Sequence, residues 1–190
     1  AVYVTDSKQG VVKVFEDHGK KFDSDFGHGI FKRPTGITVN RSTGELLVVD
    51  TLQSRVFRFE LPGRTLKGDF GGNGTASGRL HYPTLVSTTP DGNIIVTDAL
   101  NFRVQIFSPE GRFLRRIGGM GNTPGSFSRP KGVASDSDGN IYVVDALFDN
   151  IQMFDERGRL LMAFGGHGGK PGEFSLPTGL YIDSNLSLIH

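Results

Sequence analysis

The sequence predicts an all-β protein built from a repeated four-stranded unit, and three observations carry that prediction. An apolar strand ending in Asp recurs at Tyr3–Asp6, Val48–Asp50, Val96–Asp98 and Val143–Asp145, so that the Asp positions step by 44, 48 and 47. Pro34, Pro83, Pro130 and Pro177 each precede a short apolar strand and keep step at 49, 47 and 47. An apolar residue followed by Gly forms the third marker, at Phe26-Gly27, Phe70-Gly71, Ile117-Gly118 and Phe164-Gly165. Self-similarity at a fixed period of this length is the signature of a repeat architecture.

The elements of one period follow in order. The first strand comes after the proline, as in Gly36-Ile37-Thr38-Val39, and a turn such as Asp136-Ser137-Asp138-Gly139-Asn140 leads into the second, Ile141–Asp145. The third is Val104–Phe107. The turn Ser108-Pro109-Glu110-Gly111 then gives the fourth, Phe113–Ile117, which leaves through a Gly-rich linker to the next proline. β-Branched and aromatic residues favour the strands, and Gly, Pro, Asn and Asp supply the turns. In the first complete period this places strands near 37 to 39, 46 to 50, 56 to 59 and 66 to 70. The glycines read as turn geometry. Gly71-Gly72-Asn73-Gly74 and its counterparts run into strands, without the helix N-terminus that a dinucleotide site needs.

A four-stranded sheet cannot bury both faces alone, but sheets stacked around an axis can, so the period predicts β-propeller blades. Units of about 1–31, 32–80, 81–127 and 128–174 follow, with 175–190 beginning a further blade of one propeller array. The chain opens in the second strand of a unit. Two arrangements fit: a segment of a larger ring, or a closed four-bladed ring in which Thr178–Asp183 joins the first unit.

Composition excludes several classes of function. Hydrophobic residues make up 36% of the 190, with 15 Phe, 27 Gly and no Trp. Twenty-one basic and 20 acidic residues leave a formal charge of +1, so no whole-molecule field draws the chain to nucleic acid or anionic lipid. There is no cysteine, hence neither disulfide nor thiolate chemistry. No apolar run reaches the length of about 18 residues that marks a membrane span.

Arg129-Pro130-Lys131-Gly132-Val133, Asp138–Asp145 and Asp98–Phe107 resemble the NHL repeat, and the resemblance covers essentially the whole chain. The absence of Trp separates the pattern from WD-repeat blades. The resemblance implies a bacterial NHL-repeat protein and a part of a six-bladed propeller. It also implies a monomeric module of a larger protein, with a periplasmic or extracellular home. Animal relatives include RNA-binding and lyase members, so it does not choose a function. There are two departures. The arginine of the third strand stands at 55 and 103, whereas Val11 and Asn150 occupy that region in the outer units. The first linker spans 8 residues from Phe26 to Pro34, where the other three span 13.

In an antiparallel four-stranded unit successive loops alternate ends, so the second-to-third turns and the linkers share one face. Arg33, Arg55, Arg103, Arg129, Lys131, Phe102, Phe148 and His167 fall there and are the candidate partner-binding residues. Asp6, Asp50, Asp98 and Asp145 are expected to be structural, accepting turn N–H groups and pairing, in the middle units, with Arg55 or Arg103. That would leave the face more positive than its formal count. His28, His81 and His167 lie at different offsets in the linkers, so no converging metal site is expected. The first strands are expected to send Thr38, Ser87, Ser135 and Tyr181 toward the axis, all poor metal ligands. No catalytic constellation and no cofactor site are read. The expectation is a non-catalytic scaffold binding a protein or a small anionic ligand. A lyase- or lactonase-type propeller with an axial divalent metal is the alternative, and nucleic-acid binding comes last.

Overall fold

The computed structural model describes residues 1–183 and 188–189. The first sheet has three strands, β1 (Val2–Asp6), β2 (Val11–Glu16) and β3 (Lys21–Phe26). The second is β4 (Pro34–Asn40), β5 (Glu45–Asp50), β6 (Arg55–Glu60) and β7 (Thr65–Gly71). The third is β8 (Pro83–Thr88), β9 (Ile94–Asp98), β10 (Arg103–Phe107) and β11 (Phe113–Ile117). The fourth is β12 (Pro130–Ser135), β13 (Ile141–Asp145), β14 (Asn150–Phe154) and β15 (Leu160–Gly165), followed by the short pair β16 (Tyr181–Ile182) and β17 (Leu188–Ile189). Among the described residues every pairing between strands is antiparallel and joins neighbours in sequence, as in propeller blades. Among the described residues the only helical pieces are two three-residue 3₁₀ turns, and no helix is long and apolar enough to cross a membrane.

The strands begin earlier than the apolar pattern suggests. Pro34, Pro83 and Pro130 already pair with Asp50, Asp98 and Asp145, after which a bulge skips two residues before pairing resumes at Ile37, Val86 and Val133. Proline is tolerated as the first residue of a strand, where no ladder N–H is needed. The bulges re-aim the side chains that follow.

The core lies between sheets rather than within them. Leu47, Val49 and Val56 of the second sheet pack with Val86, Ile94, Val96 and Phe107 of the third. Ile95, Val104, Ile106 and Ile117 of the third pack with Val133, Ile141, Val143 and Phe154 of the fourth. Because β5 has a neighbour on both faces, every residue of Glu45–Asp50 is buried, an apolar run in place of alternation. At about 1.5–3 kcal/mol for each large apolar side chain fully buried, stacking is the dominant stabilising term.

The apolar-Gly marker does more than turn the chain. Phe31, Leu80, Phe127 and Phe174 stand three residues before each proline, and all four are buried. Each lies over the marker glycine: a Cβ on Gly27, Gly71, Gly118 or Gly165 would come within 3.0 Å of that side chain, and all four glycines have positive φ. The four-bladed closure does not form. Among the described residues the first sheet has no fourth strand, and β16 pairs with β17 rather than with β1.

Candidate functional site

The repeated Asp positions the linker face. Asp50 Oδ2 accepts from the backbone N–H of Lys32 (2.6 Å) and Arg33 (2.9 Å), Asp98 Oδ1 from His81 N–H (2.6 Å), and Asp145 Oδ2 from Ser128 N–H (2.7 Å) and Arg129 N–H (3.1 Å). Asp50 and Asp145 also take N–H groups of their own turns, at Gln53 and at Leu147. The three carboxylates are fully buried. Each one ties the end of a linker to the turn beside it and so fixes the residues on either side of the proline. Asp6 is half-buried, accepts from Lys8 and Gln9 N–H, and pairs with Lys13 Nζ at 3.0 Å. The bonds from Gln9 and Lys13 hold its carboxyl below the usual carboxylate range.

At the axial end of this face lies a cavity of about 370 Å³ lined by Arg33, Thr35, Thr51, Tyr82, Thr84, Leu85, Lys131 and Thr178. Arg33 Nη1 donates to Tyr82 Oη (3.2 Å). Thr51 Oγ1 donates to Pro83 O (2.7 Å), and Thr35 Oγ1 to Thr84 O (3.0 Å). Thr84 Oγ1 is buried with no partner among the described residues. Among the described residues no carboxylate lines the cavity and Lys131 Nζ has no ion-pair partner. Thr35, Thr84, Lys131 and Thr178 each immediately follow a repeat proline. That periodicity was the signal in the sequence for the lining. Thr38, Ser87, Ser135 and Tyr181, expected at the axis, do not line this cavity; after Pro34, Pro83 and Pro130 a bulge separates the lining position from them, and Ser135 Oγ donates to Thr88 O.

The other sequence candidates disperse. Arg103 is 4% exposed and donates to Asp98 Oδ2 from Nε (2.7 Å) and to Ala76 O and Arg79 O from Nη2 (both 3.0 Å), so it is a buried brace and not a docking cation. Arg55 does not reach Asp50. It pairs with Asp69, and Gln53 Nε2 donates to Asp50 Oδ2 at 3.1 Å in its place. Arg129 is exposed and lies outside the axial lining. Phe102 is half-buried in a left-handed conformation (φ 53°). Phe148 is half-buried against a separate cavity of about 220 Å³. His167 is exposed, with Nδ1 2.8 Å from Asp149 Oδ2. Asp149 also accepts from Leu176 N–H (2.6 Å), and this bond, with His167, lowers its pKa. Among the described residues no group of three His, Asp or Glu converges to hold a metal.

The opposite face carries a cavity of about 260 Å³ between the third and fourth sheets, lined by Asp91, Asp138 and Glu156 around Arg115.

The sheets define a β-propeller array. Residues 79–151 match a 6-bladed beta-propeller family model. The chain is 34% identical over 90 residues to Protein brain tumor of Drosophila melanogaster, covering 46% of this chain and 8% of that protein. It is 33% identical over 81 residues to the E3 ubiquitin-protein ligase NHLRC1 of Homo sapiens, covering 43% of this chain and 20% of that one. The repeats of this chain are therefore similar to those of NHL-repeat proteins, and the chain spans a fifth or less of the curated relatives it matches. Virginiamycin B lyase from Staphylococcus aureus superposes with a TM-score of 0.71 over 98% of this chain and 57% of the lyase, at 15% identity, a likeness of fold alone.

Proposed function

We propose that the chain is a non-catalytic propeller scaffold that captures an anionic ligand, a carboxylate or phosphate group of a small molecule or an acidic protein segment, at the axial mouth of its linker face. The observation that supports this reading is the lining itself. Arg33 and Lys131 flank a set of threonine hydroxyls with no carboxylate among them, and one of those hydroxyls, Thr84 Oγ1, is buried without a partner. An anion entering there would meet two cations and hydroxyl donors, the combination that recognises phosphate and carboxylate oxygens. Arg129 extends the cationic surface outside the cavity and suits a larger acidic partner.

The test is titration calorimetry with inorganic phosphate, a dicarboxylate and an Asp/Glu-rich peptide, comparing the natural chain with the double variant Arg33→Glu, Lys131→Glu. The natural chain is expected to bind at least one of the three, and the variant to lose that binding. Binding of all probes undiminished by the double variant would overturn the reading.

A further inference from the structure

The third and fourth sheets build the same linker seat from different residues. In the third, Gln105 Oε1 accepts from Gly78 N–H (2.9 Å) and its Nε2 donates to Arg79 O (2.6 Å). In the fourth, Gln152 Oε1 accepts from Gly125 N–H (2.7 Å) and its Nε2 donates to Ser126 O (2.9 Å). With the linkers held alike, the two remaining donors differ. Asn101 and Arg103, which in the third sheet send hydrogen bonds to Gly74 O, Asp98, Ala76 O and Arg79 O, are replaced by Phe148 and Asn150.

The replacement leaves a cavity of about 220 Å³ lined by Phe148, Asn150, Gln152 and the linker residues Asn122, Thr123 and Pro124. Asn150 is too short to fill the place of Arg103. Its Oδ1 is buried with no donor among the described residues. Among the described residues Thr123 O and Ser126 O, counterparts of the two carbonyls that Arg103 bridges, accept Ser126 N–H and Gln152 Nε2, respectively, and nothing else. Asp145, paired in register with Asn150, has backbone donors but no cation where Asp98 has Arg103. Asn150 Oδ1 and the Phe148 ring belong to the cavity lining together with Thr123, so the seat offers an unpartnered acceptor and an aromatic face to a planar, multiply donating cation.

We propose that this cavity takes a guanidinium group, the head of an arginine side chain supplied by a partner protein, in the place that Arg103 fills in the third sheet. A guanidinium matches the carbonyls and amide oxygen by its fork of N–H donors and stacks on the Phe148 ring, whereas an ammonium offers a compact, strongly hydrated charge that does neither as well. The site is separate from the axial cavity and does not depend on the function proposed for it.

The test uses the natural 190-residue chain and two probes, methylguanidinium and methylammonium, at matched ionic strength. Methylguanidinium is expected to shift the side-chain amide resonances of Asn150 and Gln152 saturably, and methylammonium to leave them in place. Phe148→Ala should weaken the response about fivefold by removing the stacking face. Asn150→Arg should abolish it by filling the seat from within, with a raised unfolding midpoint. No saturable shift with methylguanidinium in the natural chain, or an equal shift with methylammonium, overturns the proposal whether or not the variants fold.

Discussion

The two ends of the sheet stack allot their charges differently. At the linker end Asp50 and Asp145 are buried and accept mainly backbone N–H groups, Asp98 takes the buried Arg103, and Arg33 and Lys131 line the axial cavity with no carboxylate among the described lining. At the other end Glu45 and Asp155 take cations. Glu45 receives Arg58 (Nε–Oε2 and Nη2–Oε1, both 2.9 Å) and Lys67 (2.9 Å), and Asp155 receives Arg159 at 2.7 Å, while Asp91, Asp138 and Glu156 line one cleft together with Arg115. A chain of formal charge +1 thus presents one cationic mouth and one acidic cleft. Net charge says little about a surface when secondary structure takes up one sign of it.

The largest expected effect tests the linker end. Asp98→Ala should destabilise the chain by about 3–5 kcal/mol, because it strands Arg103 as a buried unpaired charge. Asp145→Ala should cost only about 1–3 kcal/mol, since it orphans backbone N–H groups but no cation. Urea denaturation midpoints that fall equally for both would erase the distinction between the two sheets.

Next comes the opposite end. Glu45→Gln should cost about 2 kcal/mol, because the three contacts from Arg58 and Lys67 lose the acceptor's charge and the amide NH2 can accept none of them. Burial pushes the Glu45 carboxyl up, but the hydrogen bonds of Arg58 and Lys67 outweigh it and hold the pKa below 4.5. A carboxylate depressed in the folded state contributes stability that is fully present above its unfolded pKa and is lost as the pH falls through the folded one. Thermal unfolding followed from pH 6 downward should therefore show a midpoint that begins to fall below about pH 4.5, with a shallower fall in Glu45→Gln. Asp149, lowered by Leu176 N–H and His167, adds a loss of the same sign at the linker end.

Charge reversal at Arg33, Arg129 and Lys131 together should weaken capture of an acidic peptide about tenfold at low salt and less at physiological salt, because exposed charges are screened within about 8 Å there. Neutralising Asp91, Asp138 and Glu156 should leave that capture unchanged, the smallest effect of the series. Loss of capture by the second set and not the first would move the site to the acidic cleft.

Much of the architecture was legible from periodicity alone. Asp50, Asp98 and Asp145, the prolines and the apolar-Gly pairs mark every complete sheet because each unit meets the same packing problem, and a repeated problem writes a repeated residue. The plug residues Phe31, Leu80, Phe127 and Phe174 carried the same signal, and so did the positions after each proline that line the axial cavity. The choice of partners was not legible. Whether Arg55 meets Asp50 or Asp69, whether Arg103 faces solvent or braces a linker, and that Asn150 leaves a cavity beneath its linker are settled by side-chain reach across strands and linkers distant in sequence. A residue's position in the repeat determined which end of the sheet it occupies. Only the packing of neighbouring sheets and linkers decided which acceptor lay within hydrogen-bond distance, because a charged side chain takes the nearest partner that compensates for its desolvation, and that neighbour is supplied by the fold.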